Sequence, residues 1–209
     1  GFCGINDCSF HAHNSGTIGH MVSTFAIRFY AWKAYAFADV SMQCTVNGYF
    51  DVGSRFEWLD KIIRPKQLEL KTLQEKISFT EQVLLKRLSA VRENTVVNDT
   101  IQNILINKGS LDIAKLAKES FVSTRQLERL FHEYVGITPK KLSNLVRYQF
   151  LWRDILCEPD FDVLSAVYKF GYTDQSHLLR EFKRYHSMDI HNAKIMAFKD
   201  VGNIQDVFV

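Results

Sequence analysis

S-L-D-I-A-K-L-A-K-E-S-F-V-S-T-R-Q-L-E-R-L-F-H-E-Y, residues 110–134, and F-D-V-L-S-A-V-Y-K-F-G-Y-T-D-Q-S-H-L-L-R-E-F-K-R-Y, residues 161–185, decide the fold. Each reads as a short apolar helix, a tight turn, a small polar N-cap and a second helix. Leu127 corresponds to Leu178, Arg129 to Arg180 and Phe131 to Phe182, with a constant offset of 51 positions. A helix-turn-helix lays its second helix in the major groove of DNA. Two such units in one chain can read two successive grooves without dimerisation.

In the first copy, Ser123 or Thr124 is the expected cap. Helical spacing turns Leu127, Leu130, Phe131 and Tyr134 inward. It leaves Arg125, Gln126, Glu128, Arg129 and His132 outside. Arginine can bind guanine through two parallel hydrogen bonds, and glutamate can accept one from cytosine N4. In the second copy Thr173 or Asp174 is the cap. Leu178 and Phe182 point inward, and Gln175, Ser176, His177 and Arg180 are exposed candidates for bases or phosphates. Between the copies, Thr138 caps a long helix that begins at Pro139. Lys140 and Lys141 sit beside that N-terminus, where a phosphate is favoured, and Lys140 is assigned to DNA. Arg147 supports packing or an ion pair.

The stretches G-Y-T-D-Q-S-H-L-L-R-E-F-K-R-Y (171–185) and G-I-T-P-K-K-L-S-N-L-V-R-Y-Q (136–149) resemble the most recognisable segments of the AraC/XylS family of bacterial transcription regulators. The resemblance runs from about Val96 to about Phe198. It implies base contacts from the first two turns of each recognition helix, namely Arg125, Glu128, Arg129, Gln175, Ser176, His177 and Arg180. It implies double-stranded DNA and RNA polymerase as partners and an activator's role, while four cysteines without a C-x-x-C pair suit a reducing cytoplasm. Three positions depart from the pattern. Phe121 stands where the first turn usually has a small residue. Ala166-Val167 reverses the usual large-then-Ala order. S-M-D-I-H-N-A-K (187–194) lacks the expected Gly and Pro.

The fold class expected is mainly α. A C-terminal all-α double helix-turn-helix domain, joined by a long helix, follows a smaller β-containing α+β region that looks truncated. The expected divisions are 1–62, a β-rich sensor-like region; 63–95, amphipathic helices and linker; 96–199, the DNA-binding domain; and 200–209, a tail. Ile18–Phe29 reads as a strand with Phe25, Ile27 and Phe29 on one face, and W-K-A-Y-A-F-A (32–38) as a short helix. The stretch through F-A-I-R-F-Y-A-W-K-A-Y resembles the end of the β-rich domain that often precedes AraC-type domains. Pro65 is expected to break a helix. Leu68, Leu70, Leu73 and Ile77 mark the next, and Ser78-Phe79-Thr80-Glu81 a further start. Arg92–Thr95 is the expected domain boundary. Ile101, Ile104, Leu105 and Ile106 belong to the first helix of the DNA-binding half. The aromatics Phe25, Phe29, Trp32 and Tyr35 are either core or the wall of a small-molecule effector pocket. Leu73, Ile77, Leu84 and Leu88 form a stripe that packs on either half or pairs with a second copy in a homodimer.

Composition narrows the classes. Of 209 residues, 46% are hydrophobic and 23% charged, ordinary for a globular protein. No apolar run reaches the ~18 residues of a membrane helix, so no membrane is expected. The net charge is +3, and residues 96–199 hold 15 Lys and Arg against 12 Asp and Glu. Nucleic-acid binding must therefore come from the arrangement of charge rather than its total. Cys3, Cys8, Cys44 and Cys157 form no C-x-x-C pair, so they read as reduced thiols that behave as small apolar residues. Cys3, Cys8, His11 and His13 match no common zinc module, and neither metal nor cofactor is expected. The chain starts at Gly1 without a Met and reads as a fragment or processed product. No Gly-rich phosphate loop, G-x-S-x-G or H-E-x-x-H occurs, so an enzyme is not expected. Two rivals stay open. One is an alkyl-transfer protein responding to DNA alkylation, since AraC-type domains occur fused to such a module. The other is a protein-interaction module whose helix-turn-helix units are degenerate.

Overall fold

A computed structural model describes residues 2–9, 25–91 and 93–199. It is mainly α. The described residues form two compact units, one of residues 2–6, 25–91, 93 and 132–136, the other of 7–9, 94–131 and 137–199. The main division along the chain falls between Glu93 and Asn94.

In the first unit, β1 (Phe2–Cys3) pairs antiparallel with β2 (Tyr49–Phe50), Phe2 opposite Phe50. Two helices follow, α1 (Glu57–Glu69) and α2 (Leu73–Leu88). Phe56, Leu59 and Ile63 of α1 and its approach bury against Ala36 and Phe37. Phe29 stacks on Phe37 at 4.7 Å between ring centroids, and Phe2 meets Phe56 edge-on at 4.5 Å.

Several expectations change here. Residues 25–29 form no strand, and 18–24 lie outside the described residues. Only Ala34–Ala36 of the 32–38 segment is helical, as a 3-10 turn. Pro65 does not break α1 but lies inside it. Its ring removes one backbone hydrogen bond, normally a loss of about 3 kcal/mol. The buried Leu59–Ile63 pair holds the helix to the core just before that point. The stripe from Leu68 to Ile77 spans two helices, because α1 ends at Glu69. Ser78–Glu81 lies in the middle of α2. The real start is Thr72, whose hydroxyl accepts from the Glu75 N–H while the Glu75 carboxylate accepts from the Thr72 N–H. That T-x-x-E capping box was readable in the sequence. The expected 62/63 border falls inside α1.

The second unit carries α3 (Thr95–Ile106), α4 (Ile113–Glu119), α5 (Thr124–Tyr134, whose last three residues group with the first unit), α6 (Pro139–Cys157), α7 (Val163–Phe170), α8 (Gln175–His186) and α9 (Ile190–Lys199). Asn94 caps α3 and Asp112 caps α4. Thr138 caps α6 with Pro139 in its first turn. α6 serves both halves of the unit. Leu142 and Val146 bury in its N-terminal part, and α3 packs against α6. Leu151, Trp152 and Ile155 form one core with Val167, Phe170, Leu178, Phe182 and Ala193. Gly109 (φ +75°) lies against α6, and Ser143 Oγ donates to its carbonyl at 2.8 Å. A Cβ at Gly109 would come within 2.1 Å of the Ser143 carbonyl oxygen, so only glycine fits.

His186 closes the second core. Its ring lies parallel to Phe182 at 4.5 Å and touches Trp152 at 4.3 Å, and its Nδ1 contacts the Tyr148 hydroxyl. Burial pulls its pKa down from 6.5 to about 4. The folded form therefore refuses a proton that the unfolded chain accepts. Stability is full above about pH 6.5 and declines as the pH falls from 6.5 toward 4. Unfolding midpoints across this window should fall for the wild type and stay flatter for His186→Phe. Equal slopes would mean that His186 titrates normally.

Candidate nucleic-acid interface

The two turns are alike in kind but not in length. α4 ends with Phe121 at φ +54°, and Val122 N–H donates to the Ala117 carbonyl while Phe121 N–H donates to Lys118. α7 ends with Gly171 at φ +67°, with the matching bonds from Tyr172 to Val167 and Gly171 to Tyr168. Both are Schellman endings. One residue, Val122, then separates Phe121 from the cap Ser123. Two residues, Tyr172 and Thr173, separate Gly171 from the cap Asp174.

Phe121 thus keeps the geometry of a glycine position with a large side chain, at 96% exposure. The left-handed conformation costs an L-residue roughly 1–2 kcal/mol. No packing offsets this at such exposure. Phe121→Gly is expected to stabilise the fold by about 1 kcal/mol, after allowing for glycine's greater chain entropy. Thermal unfolding checks this. A lower midpoint would mean that the ring makes a contact worth more than the strain.

On α5, Leu127 and Phe131 are fully buried. The opposite stripe carries Arg125, Glu128 and Arg129, all exposed, and half-buried His132. Gln126 differs from expectation. Its Oε1 accepts from Ser123 N–H at 2.9 Å, while Ser123 Oγ accepts from Gln126 N–H at 3.2 Å. This capping box leaves only the amide NH2 of Gln126 for any other partner. On α8, Leu178 and Phe182 are fully buried, and Gln175, Ser176 and Arg180 are exposed. His177 is half-buried. Its N–H donates to the Asp174 carboxylate at 2.7 Å and its ring meets Tyr172 edge-on at 5.3 Å. It is partly committed to the turn. Among the described residues, no ion pair or side-chain hydrogen bond engages Arg125, Glu128, Arg129, Gln175, Ser176 or Arg180. Neither Arg129 nor Arg180 folds back onto an acid. Lys140 is exposed at the start of α6.

A buried polar cluster fixes α8 to α6, and sequence reasoning identified only one of its members. Arg147 is 6% exposed and donates from one nitrogen to both Glu181 oxygens, at 3.0 and 2.9 Å. The Tyr172 hydroxyl donates to Glu181 at 2.7 Å, and the guanidinium lies 4.2 Å from the Tyr172 ring centroid. Burial, followed by the Glu181 charge, holds the Tyr172 hydroxyl protonated well above the usual tyrosine range. This cluster ties the turn, the connector and the second recognition helix together. The signal for Glu181 was its place beside the buried stripe, three residues after Leu178.

Of the aromatic residues assigned to an effector, Phe25 and Phe29 line a cleft of about 480 Å³ with Ile27, Tyr49, Phe56 and Ile63, while Trp32 and Tyr35 do not. Trp32 instead stacks on Tyr30 at 5.1 Å. The cysteines are all at the surface, not packed as small apolar groups. Among the described residues no cluster of His, Cys, Asp and Glu could hold a metal, and His11 and His13 lie outside them. No described helix is long and apolar enough to cross a membrane.

Residues 116–192 match the model of a helix-turn-helix domain family. The HTH-type transcriptional activator RhaS of Escherichia coli O139:H28 (strain E24377A / ETEC) is 25% identical over 119 residues, covering 54% of this chain and 42% of that protein. RhaS of Escherichia coli strain SE11 matches to the same extent. The matched stretch thus spans less than half the length of these curated relatives. No solved structure matches the chain.

Proposed function

We propose that this chain is an AraC-type regulator, whose paired helix-turn-helix units bind double-stranded DNA sequence-specifically and regulate transcription; the helix-turn-helix match over residues 116–192 and the likeness to RhaS support this reading. One observation carries the reading. Each recognition helix sets exposed polar side chains without partners among the described residues, Arg125, Glu128 and Arg129 on α5 and Gln175, Ser176 and Arg180 on α8, opposite a fully buried Leu-Phe pair. Arg125, Glu128 and Arg129 are the base-reading groups of the first helix-turn-helix, and Gln175, Ser176 and Arg180 those of the second. Lys140 takes a phosphate. His177 and the amide of Gln126 have secondary roles, because their turns already use them. The two helices should engage major-groove segments about one DNA turn apart, ~34 Å.

RNA polymerase is the further partner of an activator of this kind, and the cytoplasm its setting. Residues 1–93 supply regulation or assembly. The Phe25–Phe29 cleft suits a small apolar effector, and α2, with Leu73 and Leu88 exposed, suits a second copy.

The test separates the halves. Residues 96–209 should fold alone and protect two adjacent groove segments in a footprint. A folded fragment without DNA affinity would show that residues 1–93 supply either direct contacts or obligatory dimerisation. A single short protected segment per chain would overturn the two-groove reading.

A further inference from the structure

A carboxylate occupies a basic site formed by cations of α6 and α8. Asp7 is only 5% exposed. Its Oδ2 lies 2.6 Å from Lys141 Nζ and 3.5 Å from Arg184 Nη2. Two residues on, Ser9 N–H donates to the Arg184 carbonyl at 3.2 Å. Residues 7–9 group with α6 and α8 in the same compact unit.

Both cations adjoin residues already assigned to DNA. Arg184 follows Arg180 by four residues, so the two share a stripe of α8. Lys141 follows Lys140 in the first turn of α6. That turn is capped by Thr138, whose hydroxyl accepts from the Lys141 N–H at 3.2 Å. Two cations beside the N-terminus of a 19-residue helix suit a phosphate. Here they already hold an anion, and they are half-exposed while the anion is buried.

We propose that Lys141 and Arg184 form a phosphodiester site of the DNA interface and that Asp7 fills it as a substitute anion, so that DNA engages fully only after displacing Asp7. This rests on the DNA-binding reading above. A carboxylate and a phosphodiester each carry one negative charge, so the exchange leaves the site's charge balance unchanged. It releases Asp7 to water. Residues 7–9 thereby set the affinity of the recognition helices without touching a base.

The experiment measures DNA affinity of the full chain against salt. Asp7→Asn should bind about tenfold tighter, with a steeper dependence of log K on log salt. Every further phosphate that the protein neutralises adds about 0.9 to that slope. The tighter binding should vanish in the Asp7→Asn/Lys141→Gln/Arg184→Gln triple variant. Ser9→Pro removes the N–H that anchors the segment and leaves every charge in place, so it should also tighten binding. This second variant decides the matter if Asp7→Asn does not fold. Unchanged or weaker DNA binding by the folded variants, at an unchanged salt slope, would overturn the proposal and make the Asp7 pairs structural only. A second arm uses inorganic phosphate alone. It should raise the melting temperature of Asp7→Asn more than that of the wild type. If no variant binds DNA, the DNA reading itself has failed. Equal phosphate effects on both proteins would then overturn the anion site as well.

Discussion

Glu181→Ala is expected to destabilise the C-terminal unit by about 3–5 kcal/mol, the usual cost of removing one partner of a buried ion pair. The loss exceeds the strength of any single bond, because Arg147 would stay charged and buried with its carboxylate gone. The Tyr172 hydroxyl would lose its acceptor as well. Replacing both partners together, as Arg147→Met with Glu181→Leu, should recover most of the stability, since no unpaired charge remains. Denaturant unfolding of wild type, the two single variants and the double at constant m-value measures the cycle. A loss below about 1 kcal/mol for Glu181→Ala would place the pair with surface salt bridges and remove its role in holding α8.

Arg129→Ala and Arg180→Ala should act on binding and leave folding intact. Both side chains are exposed, so truncation should leave the melting temperature nearly unchanged. If each reads a base, each loss should be roughly 1–3 kcal/mol of DNA affinity with relaxed preference at one position. The affected positions should lie in different halves of the site, about one DNA turn apart. Selection from a random DNA pool, repeated for each variant, measures affinity and preference together. A uniform loss across all sequences would make the residue a phosphate contact. No loss at either position would remove both from the interface.

The sequence was most legible where the pattern was repeated and apolar. Leu127, Phe131, Leu178 and Phe182 repeat at helical spacing, and all four are fully buried. Thr138-Pro139 is a strong local start signal, and α6 begins there. The N-terminal part was less legible for identifiable reasons. Alternating aromatics at 25–29 suit a strand, but residues 25–29 pair with none. Pro65 weighs against a helix by itself, yet burial of Leu59 and Ile63 outweighs it. The start at Ser78 was a misplaced cap, because Thr72 and Glu75 hold the same signal earlier in the chain. In the site, exposure alone could not separate Gln126 from Arg125. The difference is the bond to Ser123, and only the S-x-x-Q spacing hinted at it. Asp7 gave no signal, since its two partners lie more than 130 residues away in the chain.

The unequal turns carry a consequence for the genome rather than for the protein. A symmetric dimer reads a palindrome, and reversing a palindrome changes nothing. Here the readers are unlike: Val122 alone precedes one cap, whereas Tyr172 and Thr173 precede the other. Their outer faces differ too, with Glu133 at the place that Arg184 holds in the second copy. On the proposed reading, the DNA segment read by one copy of this chain therefore has a head and a tail. Inverting it at a promoter would present each helix with the other's half, and the same letters would no longer spell the same instruction.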